Sequence, residues 1–135
     1  MGSRLTFIDT SVIVAILSLE EDADYWSESI LNSEGPVTSP LVVLEAAMRL
    51  SSKLRLDPES IKRSVEVVLQ QLRIAVIPID ANDGWAAIQA FQRYGKGRGH
   101  AAQLNLADCL SYACARNRGV KLLYKGNDFA ATDLA

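Results

Sequence analysis

An α/β sandwich with a short, mainly parallel sheet of about four to five strands is the fold class that this sequence predicts. Three observations point to it. Short apolar runs rich in β-branched residues, at 5–8, 74–79 and 120–124, alternate with segments of helical spacing. No tight two-residue hairpin signal joins one run to the next, so helical crossovers between parallel strands are expected. The chain has 135 residues, the size of one domain, and can bury about two-thirds of its unfolded surface.

Residues 5–8 read as a buried strand. Asp9-Thr10-Ser11 follows at once and leads an apolar run to Leu19, with Thr10 or Ser11 placed to cap the helix. Residues 23–31 carry Tyr25, Trp26, Ile30 and Leu31 at helical spacing and stop near Asn32 and Gly35. Pro36-Val37-Thr38 is a very short extended piece. Ser39 caps and Pro40 opens a helix to about Leu54, in keeping with the preference for Pro in a first turn. Asp57-Pro58 starts another, whose Ile61, Val65, Val68, Leu69 and Leu72 share one side. Residues 74–79 are the clearest strand in the chain. A helix over 81–94 is followed by Gly95-Lys96-Gly97-Arg98-Gly99, a flexible loop. Asn105 caps a helix over 106–117, Gly119 ends it, and 120–124 is the last strand.

The composition, 49% hydrophobic and 22% charged, is that of a soluble globular chain without repeats or low-complexity tracts. No apolar run reaches the roughly 18 residues that span a bilayer. No signal peptide precedes Leu5, so a cytoplasmic location and no membrane partner are expected. Residues 1–4 are expected to be disordered or tag-derived and are kept out of the fold. Cys109 and Cys114 lie five apart on one helical segment and face different ways. They read as small buried hydrophobes in a reducing compartment, not as a disulfide or zinc site.

Net charge is −2, but the charges are segregated. Residues 93–125 hold Arg93, Lys96, Arg98, Arg116, Arg118, Lys121 and Lys125 against a single acid, Asp108. Such a local excess suits an anionic partner on one face; a solvated helix end plus a basic loop would carry the same charges.

Sites in parallel sheets form outside the carboxyl ends of the strands. Asp9 and the Asn127-Asp128 pair lie just past a predicted strand, and Glu45 and Asp108 fall in the first turns of helices that begin at the same edge. Each acid has apolar sequence neighbours, where a carboxylate either takes a raised pKa or meets a cation. Singly, Asp9 reads equally well as a helix cap, Asp108 as a helix-dipole partner and Asp128 as the cap of a final turn. Glu45, amid a continuous apolar run, has no local role. Together Asp9, Glu45, Asp108 and Asp128 point to one shared site whose oxygen-only donors suit Mg²⁺ or Mn²⁺. Asp80 also ends a strand, but Asn82 and Asp83 mark an ordinary capped helix start there. Asp133 is left as an outer ligand.

These residues resemble a known family. Ile8-Asp9-Thr10-Ser11, then Glu45 on a helix, then Asn105-Leu106-Ala107-Asp108-Cys109, then Leu122-Leu123-Tyr124-Lys125-Gly126-Asn127-Asp128-Phe129 with Thr132-Asp133, are similar to a PIN domain. More narrowly they resemble the VapC-type ribonuclease toxins of toxin–antitoxin systems, along nearly the whole chain. Tyr94-Gly95-Lys96-Gly97-Arg98 is the most specific stretch. Ala107 stands where the family often has Gly.

The resemblance implies a single PIN-like α/β/α nuclease domain over residues 1–135. It also implies Mg²⁺- or Mn²⁺-dependent cleavage of RNA, with Asp9, Glu45 and Asp108 as metal-site acids and Asp128 as the fourth. A cognate VapB-like antitoxin and a homodimer are implied partners. The apolar Tyr25, Trp26, Ile30 and Leu31 are candidates for a partner's helix, or for the chain's own core.

On the substrate side, Lys96, Arg98, Arg116 and Lys125 are candidate RNA contacts. Lys and Arg give affinity for phosphates without sequence choice. His100 reads as an exposed loop residue before a proton carrier. Tyr94 and Tyr124 could stack on bases or belong to the core. Two other readings stay open: a phosphotransfer domain with Asp9 as nucleophile, although Ser11 stands where a second Asp would be wanted, and a non-catalytic binding module.

Overall fold

Four short strands form one sheet: β1 (Thr6–Ile8), β2 (Pro36–Thr38), β3 (Ala75–Val76) and β4 (Lys121–Leu123). Their order is β3-β2-β1-β4 and all are parallel, in a computed structural model that describes residues 5–135. Residues 1–4 lie outside the described residues. β1 is central, with Phe7 paired to Val37 on one side and to Leu122 on the other. Phe7 and Ile8 are wholly buried, as befits a strand covered on both faces. At the strand ends, the buried Thr38 hydroxyl donates to the Ile8 carbonyl at 2.8 Å.

Among the described residues six helices cover the sheet: α1 (Thr10–Leu17), α2 (Ala23–Leu31), α3 (Pro40–Leu54), α4 (Pro58–Gln71), α5 (Ala81–Tyr94) and α6 (Leu106–Arg118). In α1 the run Val12 to Ile16 is buried without a break, so the helix is apolar all round and sits in the core. It packs on α2, α3 and α4, while α6 packs on β1, β4 and α5. Ser39 caps α3 by accepting from the Val42 N–H at 3.2 Å, with Pro40 in the first turn. Gly119, at φ 63°, ends α6 in the left-handed region that glycine tolerates.

Several expectations need correction. The cap of α1 is Asp9, not Thr10 or Ser11, and the helix stops at Leu17. The Ser18 hydroxyl there bonds back to the Val14 carbonyl and Leu19 turns left-handed. The strand expected over 74–79 contracts to Ala75–Val76. Ile77 N–H still donates to Thr38 O at 2.9 Å, but Pro78 has no N–H and both β3 side chains are exposed. A β-branched run there marks a short edge strand, where proline is tolerated.

The glycine-spaced loop is tied at its base: Lys96 N–H donates to Leu104 O at 2.9 Å and Leu104 N–H to Tyr94 O at 3.0 Å. Gly95 is required, since a Cβ would fall 2.3 Å from the Phe91 ring. Tyr94 belongs to the core and cannot stack on a base. On α2, Ile30 is wholly buried and the half-buried Trp26 donates its indole N–H to Asp22 at 2.9 Å, so only Tyr25 and Leu31 remain exposed. A larger apolar surface lies on α5 and α6, where Trp85, Ile88, Phe91 and Leu106 are exposed. Both cysteines are free and buried. Among the described residues no helix is long and apolar enough to cross a membrane.

Asp80 is the helix cap that its neighbours indicated, exchanging bonds with Asp83 at 3.0 Å in each direction. Asp83 is itself buried and receives Arg118 Nη1 at 2.8 Å, Nη2 at 3.1 Å and Asn117 Nδ2 at 3.1 Å. The pair ties the start of α5 to the end of α6. Arg118 holds the Asp83 carboxyl well below the usual carboxylate range, against the opposing effect of burial. A carboxyl so lowered adds stability at pH values above its unfolded pKa near 4, and loses it as pH falls towards the folded value. Asp83→Ala should therefore cost roughly 3 kcal/mol at pH 7 by stranding Arg118. In urea melts that deficit should shrink below about pH 4; an equal deficit at pH 7 and pH 3 would show that packing, not the ion pair, is what was lost.

Candidate active site

The sheet order makes the carboxyl end of β1 a switch point, where parallel sheets form their sites, because β1 lies between β2 on one side and β4 on the other. Asp9 is the first residue beyond β1. Its N–H donates to Leu123 O of β4 at 3.0 Å, which fixes its backbone against the neighbouring strand. The carboxylate, in a residue only 5% exposed, accepts from Ser11 N–H at 3.1 Å and from Ser11 Oγ at 2.7 Å, both on Oδ2. Asp9 is thus a helix cap and a site acid at once. Burial raises its pKa; the Ser11 bonds oppose this and the charge of Glu45 adds to it.

Asp108 stands at the third position of α6 and closes a capping box. Its N–H donates to Asn105 Oδ1 at 2.8 Å, and its Oδ2 accepts from Asn105 N–H at 3.1 Å. Burial pushes its carboxyl up to about 7. The bond from Asn105 works against that rise, and the charges of Asp128, Asp9 and Glu45 reinforce it. Glu45 is half-buried in the second turn of α3, which begins directly after β2. Asp128 is exposed, on the segment that follows β4. Asp128, Asp9 and Glu45 therefore all lie close enough to Asp108 for their charges to raise its pKa.

Asp133 belongs elsewhere. It accepts the Tyr112 hydroxyl, pairs with Arg116 at 2.8 Å and Arg93 at 3.9 Å, and its pKa is lowered by Tyr112 first, against burial, and then by the arginines. Four of the seven clustered bases are likewise paired: Arg93 and Arg116 with Asp133, Arg118 with Asp83, and Lys125 with Glu20 and Asp22. Of the four candidate RNA contacts, Lys96 and Arg98 have no acidic partner among the described residues, and Arg98 lies over the Phe91 ring at 5.6 Å. His100 accepts from Ala102 N–H at Nδ1, 2.9 Å, and sits edge-on to Tyr94.

Among the described residues, no three Asp, Glu, His or Cys side chains form a ready-made metal cage. Mg²⁺ does not need one, since it keeps several waters and is held through one or two carboxylates. The donor set fits: it is oxygen-only, Asp9 and Asp108 are desolvated, and the charges of neighbouring acids raise both, an effect that a divalent cation would offset. Sequence reasoning missed Ser11 as the residue that orients Asp9. Its only signal was position, two residues beyond the acid at a helix start, where a hydroxyl can reach back.

A PIN-domain profile matches residues 6–134. A VapC ribonuclease of Rhizobium meliloti is 38% identical over 96% of this chain and 99% of its own. A ribonuclease VapC of Mycolicibacterium smegmatis is 39% identical over 95% of this chain and 96% of its own. In fold, the chain is similar to Mycobacterium tuberculosis VapC20, described as a sarcin–ricin-loop-cleaving toxin (TM-score 0.74, 16% identity, 96% of each chain). It is also similar to a chain of a toxin–antitoxin complex from Klebsiella pneumoniae (TM-score 0.69, 17% identity, 95% of this chain and 92% of the other).

The raised Asp108 pKa has a definite sign. An acid with a folded value near 7 and an unfolded one near 4 penalises the folded state increasingly from pH 4, fully above pH 7. Asp108→Asn removes the charge but keeps an oxygen for the capping box. In EDTA the variant should melt at or above the wild type at pH 8, and the difference should narrow at pH 5. Thermal melts in which the variant is less stable at pH 8 would assign Asp108 to capping alone.

Proposed function

The chain belongs to the PIN-domain family, and from that premise we propose that it is a VapC-type endoribonuclease, the toxin of a toxin–antitoxin pair. It hydrolyses RNA phosphodiester bonds with Mg²⁺ or Mn²⁺ held by Asp9, Glu45, Asp108 and Asp128. The observation that carries this reading is the joint action of Asp128, Asp9 and Glu45 on the buried Asp108, whose carboxyl stands near 7. A structural carboxylate is paired with a cation, as Asp83 and Asp133 are. Asp108 instead has Asp128, Asp9 and Glu45 as its charged neighbours, each raising its pKa.

When bound, the cation supplies Lewis-acid polarisation of a phosphoryl oxygen and an attacking water of lowered pKa. The chain's own part is orientation and charge. Ser11 holds Asp9 Oδ2 through two bonds, so Oδ1 is the oxygen that would be open to the cation. Asn105 holds Asp108 in the same way through Oδ2. Without the cation Asp108 can take up a proton near neutral pH, and a bound cation would favour its ionised form. Lys96 and Arg98, on a loop anchored by the bonds between Lys96, Leu104 and Tyr94, are the two of the four candidate contacts left available to an RNA backbone. Arg116 is engaged by Asp133.

Its partners on this reading are RNA, a cognate VapB-like antitoxin and a second copy of the chain. The exposed Trp85, Ile88, Phe91 and Leu106, and Tyr25 and Leu31 on α2, provide apolar surface for protein contacts.

Asp9→Asn, nearly isosteric and still able to accept from Ser11, should abolish RNA cleavage while leaving the fold intact by circular dichroism. Wild-type activity should vanish in EDTA and return with Mn²⁺ or Mg²⁺. Cleavage by the variant at the wild-type rate would falsify the assignment, and a trapped phospho-aspartate on the wild type would replace it with phosphotransfer. Light scattering of the purified chain should report twice its 14.7 kDa mass; a monomer at high micromolar concentration would remove the homodimer.

A further inference from the structure

Lys125 is among the bases expected on the RNA path, yet its ammonium is committed elsewhere. It pairs with Glu20 and, at 2.8 Å, with Asp22. Glu20 also takes Lys53 of α3 at 3.0 Å and the Ser18 hydroxyl at 3.1 Å, and Asp22 accepts the Trp26 indole N–H. The cluster therefore joins the end of α3, the corner between α1 and α2, and the segment after β4. The main-chain N–H of Lys125 meanwhile donates to Ser11 Oγ at 2.9 Å, and that hydroxyl donates to Asp9. Asp128 is three residues further on. Between them Gly126 takes φ 99°, in the region that favours glycine, and Phe129 beyond is wholly buried. The exposed Asp128 thus rides on a short strap, fastened before it by Lys125 and after it by Phe129.

We infer that Lys125 is a positioning residue for Asp128, fastening the strap of residues 124–129 to the α1–α2 corner through Glu20 and Asp22. It thereby sets where the Asp128 carboxylate stands relative to Asp9 and Asp108. This inference rests on the reading of the site given above and deepens it. Each exposed ion pair alone adds little to stability. Its effect is felt at the carboxylate, because groups that orient metal-site residues typically change metal affinity 10–100-fold.

The consequence opposes that of a phosphate contact. Glu20 and Asp22 would compete with RNA for a phosphate-binding lysine, so removing them would strengthen RNA binding. For a lysine that fastens the strap, removing the acids does the same damage as removing the base.

The test uses the full chain, with Mn²⁺ titrations read by thermal shift and RNA binding measured in EDTA across a salt series. Lys125→Met and the double variant Glu20→Gln/Asp22→Asn should each need about ten-fold or more additional Mn²⁺ for half-maximal stabilisation. Neither should change RNA affinity or its salt slope, and Lys125→Met should add no further loss in an Asp128→Asn background. If Lys125→Met does not fold, the acid-side double variant gives the same readout. Wild-type Mn²⁺ dependence in the variants, or tighter RNA binding by the double variant, overturns the inference while leaving the site intact. A wild type that gains no stability from Mn²⁺ overturns the reading of the site, and this inference with it.

Discussion

A carboxylate placed just beyond the central strand of a parallel sheet must lose most of its water, and the structure around Asp9 is organised by that cost. Its backbone is fixed by Leu123 of the adjacent strand, and Oδ2 is satisfied twice by Ser11. Ser11 in turn receives the Lys125 N–H, so the strand end, the first turn of α1 and the segment after β4 are tied together. The buried run 12–16 of α1 packs that junction into the core. A single buried acid thereby determines the placement of three parts of the chain.

The acids of this protein fall into two electrostatic groups. Glu20, Asp83 and Asp133 have cations or hydroxyls beside them, and their pKa values are lowered, that of Glu20 to about 2. Asp9 and Asp108 have burial and other acids around them, and theirs are raised. The first group links elements: α5 to α6, α6 to the C-terminal segment, and the α1–α2 corner to α3 and the strap. The second has hydrogen-bond donors but, among the described residues, no cation beside it, so its contribution to stability depends on pH and on any cation that binds there. Most of the clustered basic charge is spent on the first group, which leaves Lys96, Arg98 and Lys121 as the members of that cluster without an acidic partner among the described residues.

Much of the fold was legible because its signals are local. Caps at Ser39, Asp57, Asp80 and Asn105 and the glycine stop at Gly119 set helix bounds through bonds spanning two to four residues. The run 74–79 misled because β-branching reports a preference for extended backbone, whereas strand length depends on the neighbour it pairs with and on Pro78. Tyr94 left two readings open for a related reason. An aromatic residue before a glycine loop looks available, and only the packing of His100 and Tyr112 against its ring shows that it is core.

By itself the sequence determined the order of elements, the positions of the four acids at strand ends and helix starts, and the family resemblance, since each is carried by neighbours along the chain. Tertiary structure alone decided which charges meet. Asp133 and Asp128 lie five residues apart, yet one is neutralised by Arg116 and Tyr112 and the other adds its charge to the field at Asp108. Lys125 faces acids more than a hundred positions away. Coulomb interactions and desolvation depend on distance and burial in space, and spacing along the chain encodes neither.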